Sequence, residues 1–131
     1  MSENEKDQSG RVKLLLVDDE EGYVKVLAKR LAKRNVEVTP ALSGSEAIRI
    51  LRNDRFDAAV LDLKMEDMDG IEVLKVFKLM EPQMPVIMLT GHGSETAARE
   101  GIEFGAYDYL MKPCELTELV DKIREACGKK G

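Results

Sequence analysis

Five short apolar runs separated by amphipathic stretches constrain this chain more than any other feature. The runs are KLLLV (13–17), VEVTPA (36–41), FDAAVL (56–61), PVIMLT (85–90) and AYDYLM (106–111). Each has the length of a strand, and each is followed by a segment with the apolar spacing of a helix. Strands that alternate with helices in this way predict one parallel sheet flanked by helices, an α/β fold.

The helices are read from their faces and caps. Val24, Leu27, Ala28 and Leu31 share one face of the first, and Leu116, Leu119, Val120, Ile123 and Cys127 share one face of the fifth. Ser43 followed by Glu46 fits a capping box and opens the second helix, from about Gly44 to Arg52. Ile71, Leu74 and Phe77 mark the third. The fourth, near residues 94–104, has a small apolar side and carries Gly101, which costs about 1 kcal/mol relative to Ala, so it is expected to move easily.

A chain of 131 residues buries enough surface to stand without disulfides. We expect one domain over 11–127, a polar mobile tail over 1–10, and a tail or the start of a linker over 128–131. Cys114 and Cys127 have neither zinc spacing nor the form of a redox pair and are expected to be plain thiols. No signal peptide opens the chain and no apolar run is long enough to span a membrane, which points to the cytoplasm. A net charge of −5 argues against direct binding of nucleic acid, which draws on clustered Lys and Arg.

In a parallel α/β sheet the carboxyl ends of the strands lie along one edge, and ligands bind outside it where the strand order reverses. The residues at those ends are Asp18 and Asp19 after the first run, Asp62 after the third, Thr90 ending the fourth and Lys112 after the fifth. Three carboxylates brought together repel one another, and Lys112 offsets one charge. The surplus suits a hard, oxygen-loving ion such as Mg²⁺. Such a metal beside an ammonium and a hydroxyl is able to orient and neutralise a transferring phosphoryl group. Asp62, which stands alone after the central strand, is the best candidate nucleophile, forming an acyl phosphate.

These residues resemble the response-regulator receiver family of two-component signalling, from about Lys13 to Ala126. The likeness rests on LLVDDE, on DLKMEDMDG from Asp62 to Gly70, on MLTGHGS around Thr90 and on GAYDYLMKP ending in Lys112 and Pro113. It implies a doubly wound, flavodoxin-like sheet of order 2-1-3-4-5 with five flanking helices. It also implies that Asp62 is the phosphoacceptor, that Asp19 binds Mg²⁺ directly with Asp18 assisting through water, and that the backbone carbonyl of Lys64 supplies a further ligand. Lys112 would pair with the phosphoryl oxygens, with a cis bond to Pro113. Thr90 and Tyr109 would form the switch pair.

The implied partners are a sensor histidine kinase or histidine phosphotransfer protein. A downstream protein or second receiver would bind through the fourth helix, fifth strand and fifth helix. The chain departs from the family in two places. Glu66 replaces the common Pro of the loop after the phosphoacceptor, adding flexibility and negative charge, and Cys114 replaces a frequent aromatic. The family's lifetime-tuning positions are Lys64 and His92, both potentially cationic and expected to prolong phosphorylation.

Blander readings stand beside these. His92 in a Gly-flanked loop is more often solvent-facing than chemical, and the methionines are gap-filling core residues. Asp67 to Gly70 has part of a calcium loop, but the remaining ligand spacing is missing. A haloacid-dehalogenase-type phosphatase also uses a strand-end Asp, Mg²⁺, a Thr and a Lys, yet needs an acid where this chain has Lys64. A phosphate-independent module of the same fold remains the main alternative. A flavodoxin-like cofactor carrier is disfavoured by two acids where a cofactor phosphate wants amide donors.

Overall fold

The computed structural model describes residues 10–91 and 95–128. Among these, five strands form one parallel sheet of order β2-β1-β3-β4-β5, as the resemblance implies. The strands are β1 (Val12–Val17), β2 (Val36–Ala41), β3 (Ala58–Asp62), β4 (Val86–Thr90) and β5 (Asp108–Met111). The helices are α1 (Glu21–Ala32), α2 (Gly44–Asn53), α3 (Gly70–Met80), α4 (Glu95–Glu103) and α5 (Leu116–Ala126).

Each face of the sheet carries its own core. Leu15, Val17, Ala59 and Leu61 point to the face covered by α2, α3 and α4, where Leu51, Leu74, Phe77 and Ala98 meet them. Leu14, Leu16, Val60 and Ile87 point to the other, covered by Val24, Leu27 and Leu31 of α1 and Leu119, Val120 and Ile123 of α5. Because both faces are covered, β3 and β4 are buried at every position, which is why they read as continuous apolar runs.

The start of β3 differs from the sequence reading, which began it at Phe56. Asp57 donates its N–H to the Lys13 carbonyl at 2.8 Å and accepts the Lys13 N–H on its own carboxylate at 2.8 Å. A side chain thus makes a bond that a strand carbonyl would otherwise make, and regular pairing starts at Ala58. The fifth strand also starts later than Ala106, although Tyr107 already donates to the Val86 carbonyl at 2.8 Å.

The capping signals act over longer reach than expected. Ser43 accepts the Glu46 N–H at 3.1 Å, while the Glu46 carboxylate takes the N–H of Leu42 at 2.7 Å, one residue before the cap. In α4 the buried side is Ala98 and Gly101. A Cβ on Gly101 would lie 2.3 Å from the Met88 sulfur, so the glycine that weakens the helix also lets it approach β4.

Candidate functional site

The sheet order reverses at β1, whose neighbours are β2 and β3, and the crevice outside the carboxyl ends of β1 and β3 lies at that switch point. Asp18 continues from β1 and donates its N–H to the Ala41 carbonyl at 3.1 Å, so it is fully buried. One carboxylate oxygen accepts the Glu20 N–H at 2.9 Å at the start of α1, and the other accepts the Lys112 ammonium at 2.8 Å.

Asp62 is the last residue of β3, paired with Leu89, not the first residue beyond the strand as the sequence suggested. Its Oδ1 accepts the Lys64 N–H at 3.2 Å, and its Oδ2 faces Lys112 Nζ at 3.6 Å. Asp19 is half-buried and accepts the Glu66 N–H at 3.1 Å. One carboxylate oxygen from each of Asp18, Asp19 and Asp62 lies within 4.8 Å of the others. Of the five strand-end residues that the sequence groups together, Asp18, Asp19, Asp62 and Lys112 therefore converge.

The electrostatics follow from this crowding. Burial pushes the Asp62 carboxyl above its ordinary pKa, with Asp18 and Asp19 adding to the rise while the Lys64 amide and Lys112 oppose it. For Lys112, burial favours the neutral amine, but the hydrogen bond it donates to Asp18 and the charges of Asp18 and Asp62 outweigh it, so its pKa is raised. The ammonium thus stays charged among the acids. It also lies 3.6 Å from Glu20 and 4.5 Å from the centroid of the Tyr23 ring.

Thr90 ends β4 opposite Met111 and is fully buried. Its carbonyl accepts the Lys112 N–H at 2.7 Å, and its hydroxyl donates to the Met111 sulfur at 3.3 Å. Tyr109 pairs with Met88 and packs, half-buried, onto the core beneath α2, α3 and α4. The Lys112–Pro113 bond is cis, as the resemblance implies. The Lys64 side chain is exposed, and His92 lies outside the described residues.

Asp67 and Asp69 serve helix ends. Asp67 accepts the N–H groups of Gly44 and Ser45 at the start of α2, at 2.9 and 3.1 Å, and Asp69 accepts the Ile71 N–H at 3.0 Å at the start of α3. Sequence reasoning missed Tyr23, Glu20 and the Glu66 amide as neighbours of the site. Glu20 alone carried a signal, as the third acid of the DDE run.

Residues 14–124 match the protein family described as "Response regulator receiver domain". The chain is 38% identical over 113 residues to the transcriptional regulatory protein GlrR of Escherichia coli strain K12, covering 86% of this chain and 26% of that protein. It is 35% identical over 119 residues to the transcriptional regulatory protein PrrA of Mycobacterium tuberculosis strain ATCC 25618 / H37Rv, covering 91% of this chain and 51% of that one. A response regulator receiver domain protein from Clostridium thermocellum superposes with a TM-score of 0.86 at 34% identity, over 89% of this chain and 94% of that one. The chain thus spans about a quarter and about half of the two curated relatives' lengths. Their names lend no support to the expectation that nucleic acid is absent from the partners.

Proposed function

The chain belongs to the response regulator receiver domain family, and on that premise we propose that Asp62 is its phosphoacceptor. A receiver of this family is a signalling domain of two-component systems, and such domains bind Mg²⁺ at an acidic pocket. The observation that carries the assignment to Asp62 is the cluster itself: three carboxylates within 4.8 Å of one another, with Lys112 at 2.8 Å from Asp18 and 3.6 Å from Asp62.

The donor set fits Mg²⁺. It consists of hard carboxylate oxygens in negative excess, the ligand chemistry this ion prefers. Asp18, Asp19, Asp62 and the Lys64 backbone carbonyl would hold it. Bound there, Mg²⁺ supplies positive charge against the carboxylates and the phosphoryl oxygens.

The chain's own residues do the rest. An Asp62 oxygen attacks phosphorus, and the P–N bond to the donor's phosphohistidine breaks with its electron pair leaving on the imidazole nitrogen. Lys112, 3.6 Å from the Asp62 Oδ2, favours the ionised carboxylate that attacks. Asp18 holds the ammonium of Lys112 in place, so that it is available to the phosphoryl oxygens without first being ordered. Among the described residues the Thr90 hydroxyl is engaged by a sulfur, a weak acceptor, so it loses little by turning to a phosphoryl oxygen. Tyr109 then follows inward, and α4, β5 and α5 present the altered face to a downstream protein or a second receiver.

The phosphodonor is a sensor histidine kinase or histidine phosphotransfer protein, and this reading has the domain acting in the cytoplasm. Among the described residues no helix is long and apolar enough to cross a membrane. The domain promotes only its own phosphorylation and dephosphorylation, and Lys64 and His92 prolong the phosphorylated state. With a net charge of −5, this stretch of chain makes no direct contact with nucleic acid.

Intact mass before and after incubation with phosphoramidate and Mg²⁺ tests the reading. The expected result is a gain of one phosphoryl group that disappears in Asp62→Asn and in a metal-free sample. No gain in the parent protein would support a phosphate-independent binding module instead.

A further inference from the structure

The loop after Asp62 departs from the family pattern at Glu66, and the structure shows what this chain does with that departure. Proline has no backbone N–H. Glu66 has one, and it donates to the Asp19 carboxylate at 3.1 Å across 47 residues of sequence. Its side chain is exposed, so the backbone makes the contact with the site.

The amide is aimed by clamps on either side. Toward the start of the loop, Leu63 accepts the Gly70 N–H at 3.2 Å. A Cβ on Gly70 would fall 2.5 Å from the Leu63 Cα, so this closure needs glycine. One residue after Glu66, Asp67 accepts from Gly44 N–H, Ser45 N–H and the Ser45 hydroxyl at 2.9, 3.1 and 2.8 Å. These bonds hold the Asp67 carboxyl below its usual pKa, and the start of α2 favours a negative charge there. The freedom expected from losing proline is therefore checked by side-chain and backbone bonds.

Asp19 needs such a partner. It is only half-buried, and it is held near Asp18 and Asp62, whose charges would rotate a free carboxylate out to solvent. We propose that the backbone N–H of Glu66, aimed by the Asp67 clamp, is a positioning group that holds Asp19 in the geometry of a metal ligand. The inference rests on reading Asp19 as a Mg²⁺ ligand. Its consequence is a cluster pre-set for the ion, in which less ordering free energy is lost when the ion binds.

Glu66→Ala and Glu66→Pro both remove the side-chain charge, and only the second removes the N–H. Titration calorimetry with Mg²⁺ on the whole chain is expected to give Glu66→Ala an affinity within about twofold of the parent and Glu66→Pro one about tenfold weaker, the scale of one hydrogen bond to a charged group. Equal affinities for the two variants, or tighter binding by Glu66→Pro, would overturn the inference.

A second readout does not depend on proline or on metal. In metal-free protein, exchange of the Glu66 amide followed by nuclear magnetic resonance should quicken about tenfold in Asp19→Ala, and an unchanged rate would refute the contact. A parent that binds no Mg²⁺ would contradict the functional reading, and the amide exchange would then still decide whether Glu66 positions Asp19.

Discussion

Asp54 and Asp62 stand at opposite edges of the same sheet, and their carboxyl groups are displaced in opposite directions. At the amino edge Asp54 accepts the Lys13 ammonium at 2.7 Å and the Arg55 N–H at 2.8 Å, and these bonds hold its pKa below the usual value. At the carboxyl edge Asp62 is buried beside two more acids and its pKa is raised. One edge matches each charge locally and exposes it to water. The other concentrates charge of one sign in a buried crevice, a condition that a bound cation relieves. The difference between these two acids is one of surroundings, not of residue type.

Removing Lys112 should give the largest effect. Lys112→Met leaves Asp18, fully buried, without its 2.8 Å partner, and should destabilise the metal-free protein by about 3 kcal/mol in urea unfolding. If the loss were no greater than for Lys13→Met at the opposite edge, the contrast between the edges would fail.

A smaller change of opposite sign is expected from Asp62→Asn, which removes one of the crowded charges while Lys112 keeps Asp18. It should stabilise the metal-free protein by roughly 1 kcal/mol, as is usual where a site is built for function at the expense of stability. Because the Asp62 pKa is raised on folding, its cost is present at neutral pH and fades as acid protonates it. The gain should therefore shrink on acidification, and a gain independent of pH would point to another cause.

Asp54→Asn should have the smallest effect, since an exposed ion pair contributes little. The sign with pH is opposite to that of Asp62. A lowered pKa contributes stability above the ordinary value of 3.8 and loses it as pH falls through the folded-state value. Urea unfolding of the two variants across the acid range would resolve the two trends.

The sequence makes the sheet legible because both of its faces are covered. A run such as Ala58 to Asp62 is buried at every position, so it stands out without alternation. The strand-end rule then brings Lys112 to Asp18 across 94 residues of sequence, with no contact information. What stays hidden depends on loop path and side-chain direction. Asp57 substitutes its carboxylate for a strand carbonyl, which apolar periodicity does not register. The Glu66 amide meets Asp19 only because the loop folds back, and the residue identity alone suggested freedom rather than a bond. Nor does a Thr in a sequence reveal that its hydroxyl rests on a methionine sulfur.

Position 66 places a backbone donor at the acidic edge, while its charged side chain stays exposed to solvent. The carboxyl edge is then not simply an uncompensated cluster. Asp18 has the Glu20 amide and Lys112, Asp62 has the Lys64 amide, and Asp19 has the Glu66 amide. Each acid has a backbone amide donor, Lys112 offsets one charge, and the surplus is left for a cation to satisfy.

If phosphoryl transfer is directed to Asp62 among three adjacent acids, reductive trapping locates it there. Borohydride converts an aspartyl phosphate to homoserine, and peptide sequencing by mass spectrometry locates the change. Homoserine is expected at position 62 after treatment with phosphoramidate and Mg²⁺, with Asp18 and Asp19 intact. Homoserine at position 18 or 19, or none at all in protein that had gained a phosphoryl group, would contradict that assignment.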